Sequence, residues 1–118
     1  MFLQLLKSCA KRKDLFKGIA LHVDIQKRGL LEKSSYIGST LISMYAKCGV
    51  LAKAQEVLDE LPVRNVVSWS ALIAGYVQHG QCDEALNCFE RMLKEGIFPN
   101  EFTYACTLKA CGSIRAIK

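Results

Sequence analysis

The chain has 118 residues, 51% of them apolar, and a net charge of +5. That is one domain's worth of material with apolar content enough for a modest core, which excludes a disordered chain. No apolar run approaches the ~18 residues of a membrane-spanning helix, and the apolar opening, residues 1–10, lacks the basic lead and small-residue cleavage site of a secretory signal.

Helical periodicity runs through the chain. Phe2, Leu5, Leu6 and Cys9 stripe a first helix, and a second gathers around Ile19, His22 and Val23 and ends near Gly29. Ile37, Leu41, Met44 and Tyr45 stripe the next, which Gly49 ends. Ala54, Val57, Leu58 and Leu61 follow on another, broken by Pro62. Trp69, Leu72, Ile73, Tyr76 and Val77 recur at i, i+3, i+4, i+7 and i+8 on one helix face. Ser68 suits the N-cap of that helix and Gly80 its left-handed C-terminal residue. A further helix carries Asp83 and Glu84 in its first turn, where the helix dipole favours acids, and the stripe Ala85, Leu86, Phe89, Met92 and Leu93. Gly96 and Pro99 stop it. One last helix runs from about Thr103 to Cys111 with no second helix after it. No strand pattern competes.

These helices repeat in pairs. Sliding residues 35–65 onto 66–96 aligns Ser39/Ser70, Leu41/Leu72, Ile42/Ile73, Tyr45/Tyr76, Gly49/Gly80 and Ala54/Ala85. Leu6-Lys7-Ser8-Cys9 likewise matches Leu108-Lys109-Ala110-Cys111, an offset that equals three units of 31 to 36 residues. The expected fold is all-α: a right-handed α-solenoid of stacked helix–turn–helix units, whose work is to present a surface to a partner. The unpaired last helix and the late start of the first unit point to a piece of a longer array.

Residues 1–34 carry eight Lys/Arg against three acids, 35–65 three against three, 66–100 two against four, and 101–118 three against one. A basic first unit suits a polyanion, and it also suits ordinary solvated helix faces. The six cysteines fall where the helical pattern wants a small buried residue or a groove position, so free thiols in a reducing compartment are expected. No C-x-x-C pair occurs, and neither His22 nor His79 has a second ligand at useful spacing, so no metal is expected.

Helical hairpins of this length narrow the choice to tetratricopeptide-like and pentatricopeptide-like arrays. Val66-Val67-Ser68-Trp69-Ser70-Ala71-Leu72-Ile73-Ala74-Gly75-Tyr76, with Gly80, Asp83-Glu84-Ala85-Leu86, Phe89, Met92 and Gly96-Ile97-Phe98-Pro99-Asn100, resembles a standard 35-residue pentatricopeptide (PPR) repeat over residues 66–100. Residues 35–65, with Leu41-Ile42-Ser43-Met44-Tyr45-Ala46-Lys47-Cys48-Gly49 and Leu61-Pro62-Val63-Arg64-Asn65, resemble the short repeat of that family's plant "PLS" branch. Residues 1–34, and 101–118 as the first helix of a further unit, resemble its long repeat.

The resemblance implies sequence-specific binding of single-stranded RNA, about one base per repeat, in plant mitochondria or chloroplasts. Such proteins serve C-to-U editing, cleavage, splicing or stabilisation of organelle transcripts, alongside other RNA-processing factors. It assigns base recognition to Ser39 with Asn65 and to Ser70 with Asn100, and an AA dinucleotide to residues 35–100. A small hydroxyl leaves room for a purine, and an Asn amide can donate and accept on its Watson–Crick edge. Tyr36, Val67 and Phe102 are the implied apolar residues that sandwich the bases. In the long units the corresponding residues are Leu3 and Ala105, and the first unit ends in Ser34, so little base readout is expected there. Asn65 and Asn100 also suit turns before a helix. Trp69 and Tyr76 are expected in the core, and His22 between helices.

No nucleophile–base–orienter set is visible, and the H-x-E and C-x-x-C signature of the deaminase-like domain found in some relatives is absent from this sequence. Neither an enzyme nor a cofactor, a membrane or a small-molecule substrate is therefore expected. The alternatives are a tetratricopeptide-like protein-binding scaffold and a fragment without activity of its own.

Overall fold

The computed structural model describes residues 2–117, with side chains for 2–34 and 36–110. Among these are α1 (Phe2–Arg12), α2 (Leu15–Lys27), the four-residue α3 (Leu30–Lys33), α4 (Ser35–Lys47), α5 (Leu51–Glu60), α6 (Val66–Gln78), α7 (Cys82–Lys94) and α8 (Glu101–Ile117), with no strand. The first helices of successive units, α1, α4, α6 and α8, pack side by side in one row. The second helices, α2, α5 and α7, pack behind them, each wedged against the first helix of its own unit and of the next. The result is the expected α-solenoid, 45 × 31 × 20 Å.

One continuous core runs between the rows, with Leu6, Ile25, Leu41, Ile42, Met44, Tyr45, Val57, Leu58, Trp69, Leu72, Ile73 and Met92 fully buried. At Gly75 an added Cβ would stand 2.7 Å from Ala46 Cβ, so α6 and α4 pack tightly side by side there. The turn after each first helix repeats one geometry. Gly49 lies at φ +82° and Gly80 at φ +74°. The next residue's N–H then reaches back to a tyrosine carbonyl, Val50 to Tyr45 at 2.9 Å and Gln81 to Tyr76 at 2.8 Å. This is the helix stop that needs a left-handed residue. The first unit makes the same turn with Lys13 at φ +56°, and Asp14 N–H reaches Cys9 O at 2.9 Å.

Polar contacts lock unit to unit. Arg64 Nε donates to both Glu95 oxygens at 2.9 and 3.1 Å, and Arg91 Nη2 to Asp59 Oδ1 at 3.2 Å. The Arg91 guanidinium also covers the Trp69 ring at 5.2 Å. His79 Nε2 lies 2.7 Å from Ala46 O, and since a carbonyl only accepts, that nitrogen carries the proton. His22 Nδ1 meets the Tyr45 hydroxyl at 2.7 Å, which is the inter-helix role expected of it.

Several expectations need correction. Asn65, not Ser68, is the N-cap of α6; Ser68 sits three residues on, and the two bond each other reciprocally. The last helix begins at Glu101 rather than Thr103. The short α3 was not foreseen. Val23 and Leu93 are exposed rather than striped into the core. The buried face of α7 is centred on Ala85, Cys88 and Met92, which turns Leu93 towards solvent. Among the described residues Cys9, Cys48, Cys82, Cys88 and Cys106 are free thiols, as expected; the Cys111 side chain lies outside the described residues.

Candidate nucleic-acid interface

The row α1–α4–α6–α8 lines a groove, and the capping chemistry of its helices decides which side chains reach it. Asn65 stands in extended conformation before α6, and its Oδ1 accepts Ser68 N–H at 3.0 Å. Asn100 plays the same part before α8, with Oδ1 accepting Thr103 N–H at 2.9 Å. An Asn in this position satisfies one of the helix's free N–H groups and is held at the groove edge by doing so.

All seven residues singled out in the sequence meet there, in two sets. Ser39 and Asn65 line a small cleft of about 120 Å³ between Tyr36 and Val67. Ser70 and Asn100 line a larger hollow of about 450 Å³ with Val67 and Phe102. Val67 therefore belongs to both. Tyr36, Val67 and Phe102 are 73%, 52% and 56% exposed, one large apolar side chain per unit on the same face. The serines lie deeper, at 6% for Ser39 and 4% for Ser70.

The two serines share a register but not an environment. Ser70 Oγ lies 2.6 Å from Thr103 Oγ1, which is itself 2.9 Å from Asn100 Oδ1. Ser39 Oγ is buried without a hydrogen-bond partner among the described residues. Such a group costs about 1–3 kcal/mol until something pairs with it.

Sequence reasoning missed Thr103, and it missed the groove lysines. Lys7, Lys11 and Lys47 line a third hollow of about 630 Å³ with Leu3, Tyr36 and Ser39. A signal for two of them was present: Lys11, Lys47 and Gln78 occupy one register in successive units. The groove is thus most basic at its α1–α4 end, and of these lysines Lys47 alone also lines the hollow beside Ser70.

Away from the groove, burial governs the titrating groups. It pushes the Tyr45 hydroxyl up to about 12 and the Cys88 thiol to about 11, so neither ionises near neutral pH. The Arg64 hydrogen bond holds the Glu95 carboxyl below its ordinary range. Among the described residues no cluster of His, Cys, Asp and Glu is arranged to hold a metal ion, and no helix is long and apolar enough to cross a membrane.

Comparison with known proteins agrees with this architecture. A model of the PPR repeat family matches residues 64–113 and a PPR repeat model matches residues 39–66, together well over half the chain. A pentatricopeptide repeat-containing protein of Arabidopsis thaliana is 44% identical over 99% of this chain and 17% of its own length. A chloroplastic one from the same plant is 43% identical over 96% of this chain and 18% of its own, and a mitochondrial one 40% identical over 94% and 17%. The crystal structure of the maize pentatricopeptide repeat protein PPR10 has the same fold, with a TM-score of 0.74 over 92% of this chain and 16% of its own, at 21% identity. The chain thus spans less than a fifth of the length of these relatives. Repeat periodicity, stacked hairpins and matching family models give one conclusion: this chain belongs to the pentatricopeptide repeat family.

Proposed function

We propose that this chain binds single-stranded RNA along its groove and reads two adjacent bases, each through a Ser/Asn pair. The observation that carries this reading is the convergence of Ser39 with Asn65 and of Ser70 with Asn100, each pair between two exposed apolar side chains. Tyr36 and Val67 bracket one base and Val67 and Phe102 the next. Apolar faces on either side of a base, a hydroxyl at the floor and an amide at the rim are what an unstacked base needs. The preferred dinucleotide is AA. Lys7, Lys11 and Lys47 supply charge for the phosphates at the α1–α4 end.

The repeat boundaries 1–34, 35–65, 66–100 and 101–118 carry the order long, short, standard and long of the PLS branch. With relatives named as chloroplastic and mitochondrial proteins, the full protein acts on organelle transcripts, in editing, splicing, cleavage or stabilisation together with other processing factors. This part of it binds and does not catalyse.

Two bases stacked at about 1–3 kcal/mol each barely offset an association cost of about 4–15 kcal/mol, so the chain alone binds no tighter than the high micromolar range. Oligo(U) probes with a central AA, GG, CC or UU, titrated against the chain, test this. AA binds best, and the preference disappears in the Ser70→Ala/Asn100→Ala double variant. Equal binding of all four probes would leave charge as the only driver and favour a protein-binding scaffold instead.

A further inference from the structure

We infer that Thr103 is a positioning residue that sets which base the Ser70/Asn100 pair accepts, so that the two Ser/Asn pairs, alike in sequence, read with unequal stringency. This rests on the base-reading function proposed above. Thr103 is fully buried and touches no base; it acts through the two residues that do.

Proton counting fixes the arrangement. Asn100 Oδ1 faces two donors, Thr103 N–H at 2.9 Å and Thr103 Oγ1 at 2.9 Å. With the amide reversed, its NH2 would point at the backbone N–H, donor against donor, so the carbonyl stays inward and the NH2 is left for the groove. Thr103 has one hydroxyl proton, and Asn100 Oδ1 takes it. Its oxygen then accepts, from Asn100 N–H at 3.4 Å and from Ser70 Oγ at 2.6 Å. Ser70 must therefore donate to Thr103, which leaves only lone pairs on Ser70 to face a ligand.

The pocket thus presents one amino donor and one hydroxyl acceptor. Adenine offers the complement, a ring nitrogen that accepts and an exocyclic amino group that donates. Cytosine has the same polarity on a smaller ring. Guanine and uracil carry a ring N–H where the Asn100 NH2 points, and a donor facing a donor is rejected.

The other pocket lacks this chain. Ser68 stands in the register of Thr103, but its hydroxyl donates to the Asn65 backbone carbonyl at 2.8 Å rather than to the amide. Among the described residues the Asn65 amide is held by the Ser68 N–H alone, and Ser39 Oγ has no partner. Ser39 remains able to donate or to accept, so its pocket accepts either an amino or a carbonyl group at the exocyclic position, and only the Asn65 NH2, set by the Ser68 N–H, selects at the ring nitrogen.

The test uses the whole 118-residue chain and oligo(U) probes carrying AA, AG, GA, AU or UA at the centre, with binding followed by NMR at high concentration. Replacing one of the two adenines weakens binding by about tenfold, replacing the other by about threefold or less. Thr103→Val brings the larger penalty down to the smaller one and leaves the smaller unchanged, while Thr103→Ser keeps both. In the RNA-free protein the Asn100 side-chain amide signals move in Thr103→Val and stay in Thr103→Ser. Equal penalties in the unaltered chain, or a larger penalty that survives Thr103→Val in a folded variant, would overturn the inference while leaving base reading intact. Indifference of the unaltered chain to all five probes would instead overturn base reading itself, and this inference with it.

Discussion

The first unit and the third are the same hairpin built to different standards. In the third, α6 begins with a reciprocal cap between Asn65 and Ser68, ends at Gly80, and buries Trp69, Leu72, Ile73 and Tyr76. The ion pairs Arg64–Glu95 and Arg91–Asp59 tie it to the second unit. In the first unit α1 buries Leu6, Cys9 and Ala10 and α2 buries Gly18 and Ile25, Phe16 is 89% exposed, and Lys13 holds the left-handed turn that glycine holds later. The groove side differs in parallel: Leu3 lines it where the later units place a serine, and Lys7 and Lys11 accompany it. The large buried aromatics and the polar groove residues thus concentrate in residues 35–100, and the first unit contributes charge to the groove.

The comparison can be broken most forcefully at the aromatic residues. Trp69→Ala removes a fully buried side chain and lowers stability by about 3–5 kcal/mol in urea denaturation. Phe16→Ala, at the exposed position, changes it by less than about 0.5 kcal/mol. Equal losses would mean that the first unit is as tightly packed as the third.

The turns give a smaller effect with opposite signs. Gly80→Ala places a Cβ in left-handed backbone and costs about 1–2 kcal/mol, whereas Lys13→Gly relieves the same penalty and raises stability by up to about 1 kcal/mol. A melting temperature that falls in both variants would contradict the shared turn geometry.

The Arg64–Glu95 pair gives the smallest effect. Its carboxyl is depressed by the arginine, so the pair's contribution is fully present above the ordinary carboxylate range and fades as pH falls through the lowered value. Both side chains are 29% exposed, which limits the contribution to about 1 kcal/mol or less. Glu95→Gln therefore lowers the melting temperature slightly at pH 7 and matches the parent protein in strong acid. A gap that persists in acid would assign the effect to packing.

Much of this was legible in the sequence, because a repeat states its register several times. Gly49 and Gly80 mark the same stop, and Leu41, Ile42 and Tyr45 return as Leu72, Ile73 and Tyr76. The groove residues were legible for the same reason: a serine and a terminal asparagine recur in step. What register cannot carry is the identity of a neighbour from the next unit. Asn65 and Ser68 are both good caps three residues apart, and only geometry tells which one stands outside the helix. Leu30–Lys33 is too short to show a helical period. Ser39 and Ser70 look equivalent until the unit that follows each is considered, with Ser68 beside one and Thr103 beside the other.

The most direct test of base reading is a single change at the groove edge. Asn100→Asp replaces the amide donor with a carboxylate that can only accept, which suits the ring N–H of guanine and repels the ring nitrogen of adenine. In a selection from randomised oligonucleotides the unaltered chain enriches AA, and Asn100→Asp enriches one guanine in place of one adenine. An unchanged base ranking would contradict the assignment of Asn100, and with it the account of how this groove reads RNA.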